Sequence, residues 1–423
     1  MKHKILSNIK QQSWLLSLSI PVGLISGFSA WAFLTSLREV TNLRINNLWI
    51  IIFLPIIGLA IGLIYLHKGK NANLGNQLLL DEIHNSTAWV PRRMAPLVFF
   101  GTVATHLFGG SVGREGAALQ IAGSLTDTML RFIKPSPNIR RLLLITALAG
   151  GFGAVFGVPI TGAIFAMEVQ RIGRIKYRAF FACVAASFVG DYTVDLLGYQ
   201  HERHFKEAVS LSVGVMGKLF LAGIVFGLLS IAFVELTHFI SKMAKKAITY
   251  LPLRLFAGGV IVIMLSLIVG SEYLGLSIGI LERSIAGNAT SVLTSLTKLV
   301  LTAISIGFGF PGGEVTPLLV VGSTAGAFLA QPLGLSIVLL TSIGLVAVFS
   351  GSANAPIASV IMCSEMFGAK MLIPAAVVCG STYLFSNYRG LYLPHHKTLD
   401  PSHYKVDLVP RILKWGFGRK WVR

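Results

Sequence analysis

Two charged residues in this chain stand where the surrounding sequence offers no water. Arg114 and Glu115 lie between the apolar runs 94–107 and 117–130, at the end of the glycine-rich segment 109–115 (Gly-Gly-Ser-Val-Gly-Arg-Glu). A charge in apolar surroundings is costly, so such side chains face a water-filled path or a partner. The glycines let the backbone break. A break leaves free N–H groups at the start of the next helix, and the helix dipole there favours an anion. An ionised Glu115 side chain is itself an anion competing for that place, and its protonation would vacate it. One carboxylate could therefore gate an anion site, with Arg114 on the pathway. The plainer alternative is that Arg114 forms a salt bridge with a neighbouring acid.

A second break, 307–314 (Gly-Phe-Gly-Phe-Pro-Gly-Gly-Glu), ends on Glu314 and is read as the counterpart of the first. The two belong to an internal repeat. Residues 157–168 align without gaps on 354–365, with Pro159, Ile160, Ile164 and Glu168 meeting Pro356, Ile357, Ile361 and Glu365. The interval from acid to proline is 44 residues in one half (115 to 159) and 42 in the other (314 to 356). Paired Gly/Pro-interrupted segments of this kind mark a two-fold membrane protein with its site near the midplane. Glu314 then either lines the anion path or is a helix-start acid.

Two motifs with other chemistry are set aside. Residues 109–113 match G-x-S-x-G, and His106 is near, which would suit a hydrolase using Ser111; that elbow requires a strand before it and a helix after it. Residues 307–312 match G-x-G-x-x-G but lack a βαβ setting and a downstream ribose-binding acid.

The elements that must position these residues follow from composition. Of 423 residues, 54% are hydrophobic and 13% charged. Soluble domains carry about 25% charged residues, so a bilayer must be the solvent for most of this chain. At roughly 20 apolar residues per span, its length allows on the order of ten to a dozen crossings, or more elements if some are short. Apolar stretches run over 15–33, 48–65, 94–107, 117–130, 142–167, 180–197, 213–239, 255–274, 293–306, 315–330, 335–349, 356–367 and 371–384. Many are short and interrupted, in keeping with 44 Gly and 16 Pro. The fold class expected is all-α and polytopic: tilted, broken helices in two inverted-topology repeats, about 15–205 and 210–395. A basic tail over 396–423 is expected at the cytoplasmic headgroup level. The net charge of +19 resides at Lys2, Lys4, Lys10, Arg92, Arg93, Arg140, Arg141, residues 171–178 and 242–246, and the tail. That placement fits cytoplasmic loops and not a nucleic-acid partner. Cys183, Cys363 and Cys379 fall in apolar stretches without metal-ligand spacing, so neither a disulfide framework, a metal nor a cofactor is expected. The run 15–33 after a basic start is read as a first membrane helix with a cytoplasmic N-terminus.

Four segments together resemble the CLC family of anion channels and antiporters: 113–120 (Gly-Arg-Glu-Gly-Ala-Ala-Leu-Gln), 309–317 (Gly-Phe-Pro-Gly-Gly-Glu-Val-Thr-Pro) and the two Pro-Ile…Glu helices. Order and separation agree over roughly residues 15–395. The resemblance implies an inverted-repeat helical domain that dimerises, with one pathway per subunit and Glu115 at the gating position. Ala117 stands where the family commonly has proline. Chloride-type members carry Gly-Ser-Gly-Ile-Pro where this chain has 71–77 (Asn-Ala-Asn-Leu-Gly-Asn-Gln), and Gly-Gly-Ile-Phe-Ala-Pro where it has Glu314, Val315, Thr316 and Pro317. Their inner glutamate falls on Val169, and Glu168 matches the structural acid before it. These departures resemble the fluoride/proton antiporter branch, with Leu74 at a position where that branch commonly has methionine. The tyrosine that closes the site matches Tyr392.

Fluoride is small and strongly hydrated, so a fluoride site must replace its water with several good donors. Backbone N–H groups near Val315 and Thr316, the Thr316 hydroxyl and the Tyr392 hydroxyl are candidates; Leu74 and Gly75 are also expected at the anion, Leu74 as an apolar wall that restricts space, with Asn76 on the pathway. The expectation is a fluoride/proton antiporter, homodimeric, in a bacterial inner membrane among lipids. A chloride or other halide antiporter or a passive anion channel is the same-fold alternative, and an intramembrane hydrolase on Ser111 and His106 the alternative of another class.

Overall fold

A computed structural model describes residues 2–86, 88–170, 177–201, 212–386 and 390–391. Tyr392 and the basic tail lie outside the described residues. Among the described residues the chain forms sixteen α-helices. The first eight are α1 (Lys2–Asn46), α2 (Leu54–Ile64), α3 (Asn76–His84), α4 (Met94–Leu107), α5 (Glu115–Ile133), α6 (Pro137–Phe156), α7 (Pro159–Glu168) and α8 (Phe180–Leu196). The second eight are α9 (Val213–Ala247), α10 (Leu251–Val269), α11 (Ile278–Ile285), α12 (Val292–Phe308), α13 (Val315–Leu333), α14 (Ile337–Ala353), α15 (Pro356–Phe367) and α16 (Leu372–Phe385).

The packing repeats as the sequence does. The contacts of α1 with α6 and α8 recur as those of α9 with α14 and α16, and α5 on α6 recurs as α13 on α14. Three equivalent pairs touch each other, α2 with α10, α5 with α13 and α7 with α15, so they lie next to an approximate two-fold axis.

Local chemistry explains where the helices stop. Proline, which lacks an N–H and suits a first turn, begins α6, α7 and α15. The expected single stretch 142–167 is in fact two helices, α6 and α7, because Gly157 ends the first in a left-handed conformation (φ +70°). Asn354 does the same between α14 and α15 (φ +53°). Among the described residues seven helical segments are long and apolar enough to cross a bilayer, fewer than the ten to a dozen full crossings anticipated. Helices such as α4, α12, α14 and α15 are shorter than a span because they end at breaks inside the protein. A second correction concerns Arg140, read above as a loop charge. It is buried on α6, paired with Asp127 at 2.7 Å and Glu82 at 3.0 Å, and stacked on Trp89.

The two Pro-Ile…Glu helices clasp each other across the axis. Glu168, ending α7, accepts the Ile357 and Ala358 N–H groups at the start of α15, at 3.0 and 2.8 Å. Glu365 on α15 returns the contact to Ile160 and Thr161 of α7, at 2.9 and 2.8 Å. Each acid thus caps the partner helix, where free N–H groups and the dipole favour a carboxylate. Replacing Glu168 or Glu365 by alanine is expected to cost about 2–3 kcal/mol, the scale of a charge-assisted hydrogen bond. Thermal unfolding in detergent should show both midpoints lowered; a midpoint equal to that of the wild type would refute the clasp.

Candidate anion site

Both helix breaks are built by the same bonds. In the first, Gly109 N–H donates to His106 O and Gly110 N–H to Thr105 O; in the second, Gly309 donates to Ile306 O and Phe310 to Ser305 O. Gly109 and Gly309 both take positive φ (+90° and +106°), which a residue with a Cβ rarely adopts. The breaks then meet in an antiparallel bridge: Gly113 N–H to Gly313 O at 2.6 Å, and Gly313 N–H to Gly113 O at 2.7 Å. No side chain fits there. A Cβ on Gly113 would lie 2.8 Å from Pro317 Cδ, and one on Gly313 would lie 2.6 Å from the Gly116 nitrogen.

The bridge brings the N-termini of α5 and α13 together, and the Glu115 carboxylate sits between them. Its Oε2 accepts the Thr316 N–H at 2.9 Å and the Arg114 N–H at 3.2 Å. Its Oε1 accepts the Thr316 hydroxyl at 2.5 Å, and Arg114 Nε lies 3.3 Å away. Glu115 is only 1% exposed. The salt bridge entertained as an alternative for Arg114 therefore exists, and its acid is Glu115 itself. The carboxylate occupies a seat whose donors would serve equally for a small free anion.

Other expected residues take different places. The pairing of Gly113 with Gly313 puts Glu115 in register with Val315, and Glu314 in register with Arg114. The two acids are thus offset by one residue, a correction to the symmetry expected of them. Glu115 is the first residue of α5, whereas Glu314 precedes α13 as its cap. Val315 is fully buried. Glu314 lines a cavity of about 480 Å³ together with Leu74, Gly75, Asn76 and Gln120. Leu74 is half exposed on that wall. Gly75 has φ +58° and lies against the Gln120 amide. The Asn76 Oδ1 and Glu314 Oε2 atoms are buried without a hydrogen-bond partner, and the Asn76 amide approaches Gly116 at the start of α5. Lys245 and Arg254 also line this cavity, and Arg254 Nε donates to Phe308 O at the end of α12. Sequence reasoning passed over Gln120, Lys245 and Arg254; only the folded cavity collects them. Tyr392 is outside the described residues, but Leu391 beside it is on the cavity wall.

The motifs set aside have other uses. Ser111 Oγ contacts Thr302 Oγ1 and Lys298 Nζ, both at 3.0 Å, while His106 Nδ1 donates to Thr102 O. Residues 307–312 close α12 and form the second break, with no strand beside them.

Fold and site define a class: an all-helical, polytopic membrane transport protein whose two helix breaks meet at a buried carboxylate. The family described as Voltage gated chloride channel matches residues 58–387, and the chain belongs to it. It is thus a multi-pass anion-transport protein and not an enzyme. A "Chloride/fluoride channel protein" of Pseudomonas syringae pv. tomato is 40% identical over 405 residues, covering 94% of this chain and 89% of the relative. The crystal structure of a CLC-type fluoride/proton antiporter superposes with a TM-score of 0.87 at 30% identity, covering 90% of this chain and 97% of that one. A slow cyanobacterial Cl⁻/H⁺ antiporter shares the fold, with a TM-score of 0.78 at 18% identity over 88% of this chain and 94% of that one.

The seat makes Thr316 testable. Thr316→Val keeps the shape and the backbone donor but removes the hydroxyl. A lost hydrogen bond to a charged partner is worth roughly 1.5–3 kcal/mol, so anion transport should weaken about ten- to a hundred-fold. Efflux from proteoliposomes measures this, and wild-type rates in the variant would exclude the hydroxyl from the seat.

Proposed function

We propose that the chain exports fluoride across a bacterial inner membrane in exchange for protons, with Glu115 as the group that competes with the anion and carries the proton. One observation carries the reading: the Glu115 carboxylate takes both donors of Thr316 at the start of α13. While ionised it fills the seat as an anion would. Once protonated it is a poorer acceptor, and the Thr316 N–H and hydroxyl become free to bind a small anion. The proton must leave again before the carboxylate can return, and that requirement couples the two fluxes.

Fluoride fits this seat because it needs several hydrogen-bond donors within a small radius to replace its water. The neighbouring cavity is lined by Leu74, an apolar side chain that adds no donor. The fluoride/proton antiporter similar to this chain and the chloride/fluoride relative support the same branch. Val169 stands where a second glutamate would relay protons, so Glu314, facing the cavity with an unpartnered oxygen, is the acid placed to pass them on. The cavity borders Lys245, in the basic run 242–246 read as cytoplasmic, which makes this the side from which fluoride enters. A homodimer with one pathway in each subunit is part of this reading.

Glu115→Gln keeps the volume of the side chain and removes the titratable group, so proton-coupled exchange should stop. Fluoride efflux with simultaneous pH recording decides it; uphill proton movement driven by a fluoride gradient in this variant would exclude Glu115 as the carrier. Leu74→Ser adds a donor of the kind found in chloride sites and should raise chloride flux relative to fluoride. A fluoride-to-chloride ratio within about two-fold of the wild type would remove this wall from the account of selectivity.

A further inference from the structure

The second repeat holds a cation that the pathway above does not use. Lys298, in the middle of α12, is completely buried. Its ammonium donates to Gly275 O at 2.6 Å, Ser111 Oγ at 3.0 Å and Tyr273 O at 3.2 Å. Three acceptors match the three donors of a charged ammonium. None is a carboxylate, and among the described residues no acid forms an ion pair with Lys298.

Arg44 is held in the same way. It is buried, donates to His106 O and has no acid partner among the described residues. Its guanidinium packs on Gly275, the residue whose carbonyl binds Lys298. Between them His106 donates from Nδ1 to Thr102 O, leaving Nε2 a buried acceptor without a partner.

Two cations without counter-ions are expensive inside a membrane protein, and removing water from them is not offset by packing alone. The repeat shows that the fold itself does not require the lysine. The register of the breaks makes Val98 on α4 the equivalent of Lys298, and Val98 is a plain apolar wall residue of the cavity. The link to the seat is Ser111, which belongs to the first break. Its N–H donates to Ser305 Oγ at 3.1 Å, Gly113 of the bridge follows two residues later, and Glu115 four residues later. Four residues of backbone span at most about 14 Å.

We propose that Lys298, with Arg44 beside it, is a positioning residue for anion transport: a fixed positive charge that raises the affinity of the Glu115 seat for its anion without touching it. Once Glu115 is protonated, the transported anion supplies at the seat the negative charge that the ionised carboxylate supplies otherwise. This rests on reading the seat as an anion site. A unit charge at this range, in a medium of effective dielectric constant near 20, changes affinity roughly five- to ten-fold.

The test is fluoride binding to the detergent-solubilised full chain by calorimetry, paired with saturation curves of fluoride efflux from proteoliposomes. Lys298→Met keeps length and removes charge; it should weaken binding five- to ten-fold and raise KM, with little change in saturated flux. Lys298→Arg, which restores the charge, should return affinity to within about two-fold of the wild type. Ser111→Ala removes one acceptor but leaves the charge, and should also stay within two-fold. Wild-type affinity in Lys298→Met would overturn the proposal, as would a loss in Ser111→Ala equal to that in Lys298→Met, because the strap and not the charge would then matter. If Lys298→Met does not fold, Arg44→Met carries the same expectation and is refuted by the same result. A wild-type chain that binds and moves neither fluoride nor chloride would sink the functional reading itself, an outcome separate from both.

Discussion

The hydrogen bonds exchanged between Gly113 and Gly313 join backbone to backbone at the approximate two-fold axis, with no side chain between them. Neither residue can carry a Cβ here, because the neighbouring Pro317 and Gly116 would collide with one. Everything at the site follows from that close approach. It stops α4 and α12 short of a full span, starts α5 and α13 at the same depth, and points two sets of free N–H groups into one small volume. An anion there is favoured by both helix dipoles at once. Because the loops cross antiparallel, the equivalent of each residue lies on the opposite side of the bridge, and the two halves present different chemistry to one seat.

That difference is what lets a symmetric frame serve a directional task. The first half contributes a carboxylate, Glu115, and the second contributes the donors of Thr316 that hold it. On one side of the seat the fold leaves a cavity bordered by Lys245 and Arg254. At the equivalent place in the other half, Lys298 is buried against the carbonyls of Tyr273 and Gly275. Away from the axis the same principle is used for stability: Glu168 and Glu365, near the ends of α7 and α15, each cap the N-terminus of the other repeat's helix.

Much of this was legible in the sequence because it rests on local rules. Scarce charge implied a bilayer, glycine and proline marked the breaks, and the repeat 157–168 with 354–365 announced the two-fold arrangement, since a helix end and its cap depend on neighbours a few residues away. Arg114 and Glu115 stood out for a related reason: charged groups in apolar runs need a partner wherever the chain leads; Glu314 came from the repeat, and Thr316 only from the family resemblance. Lys298 could have been found by that rule too, as the lone cation of the stretch 293–306.

What the sequence by itself determined, then, is an all-helical membrane protein of two repeats with an acid in each break. Only the tertiary structure decided which groups meet. It set the register that offsets Glu314 from Glu115 by one residue, gave Thr316 and not Val315 the contact to the carboxylate, moved Arg140 from a loop into a buried ion-pair network, and placed Leu74 on a cavity wall. These are contacts between segments about 200 residues apart. Their geometry is settled by how closely two glycines can approach, and no local pattern along the chain records that distance.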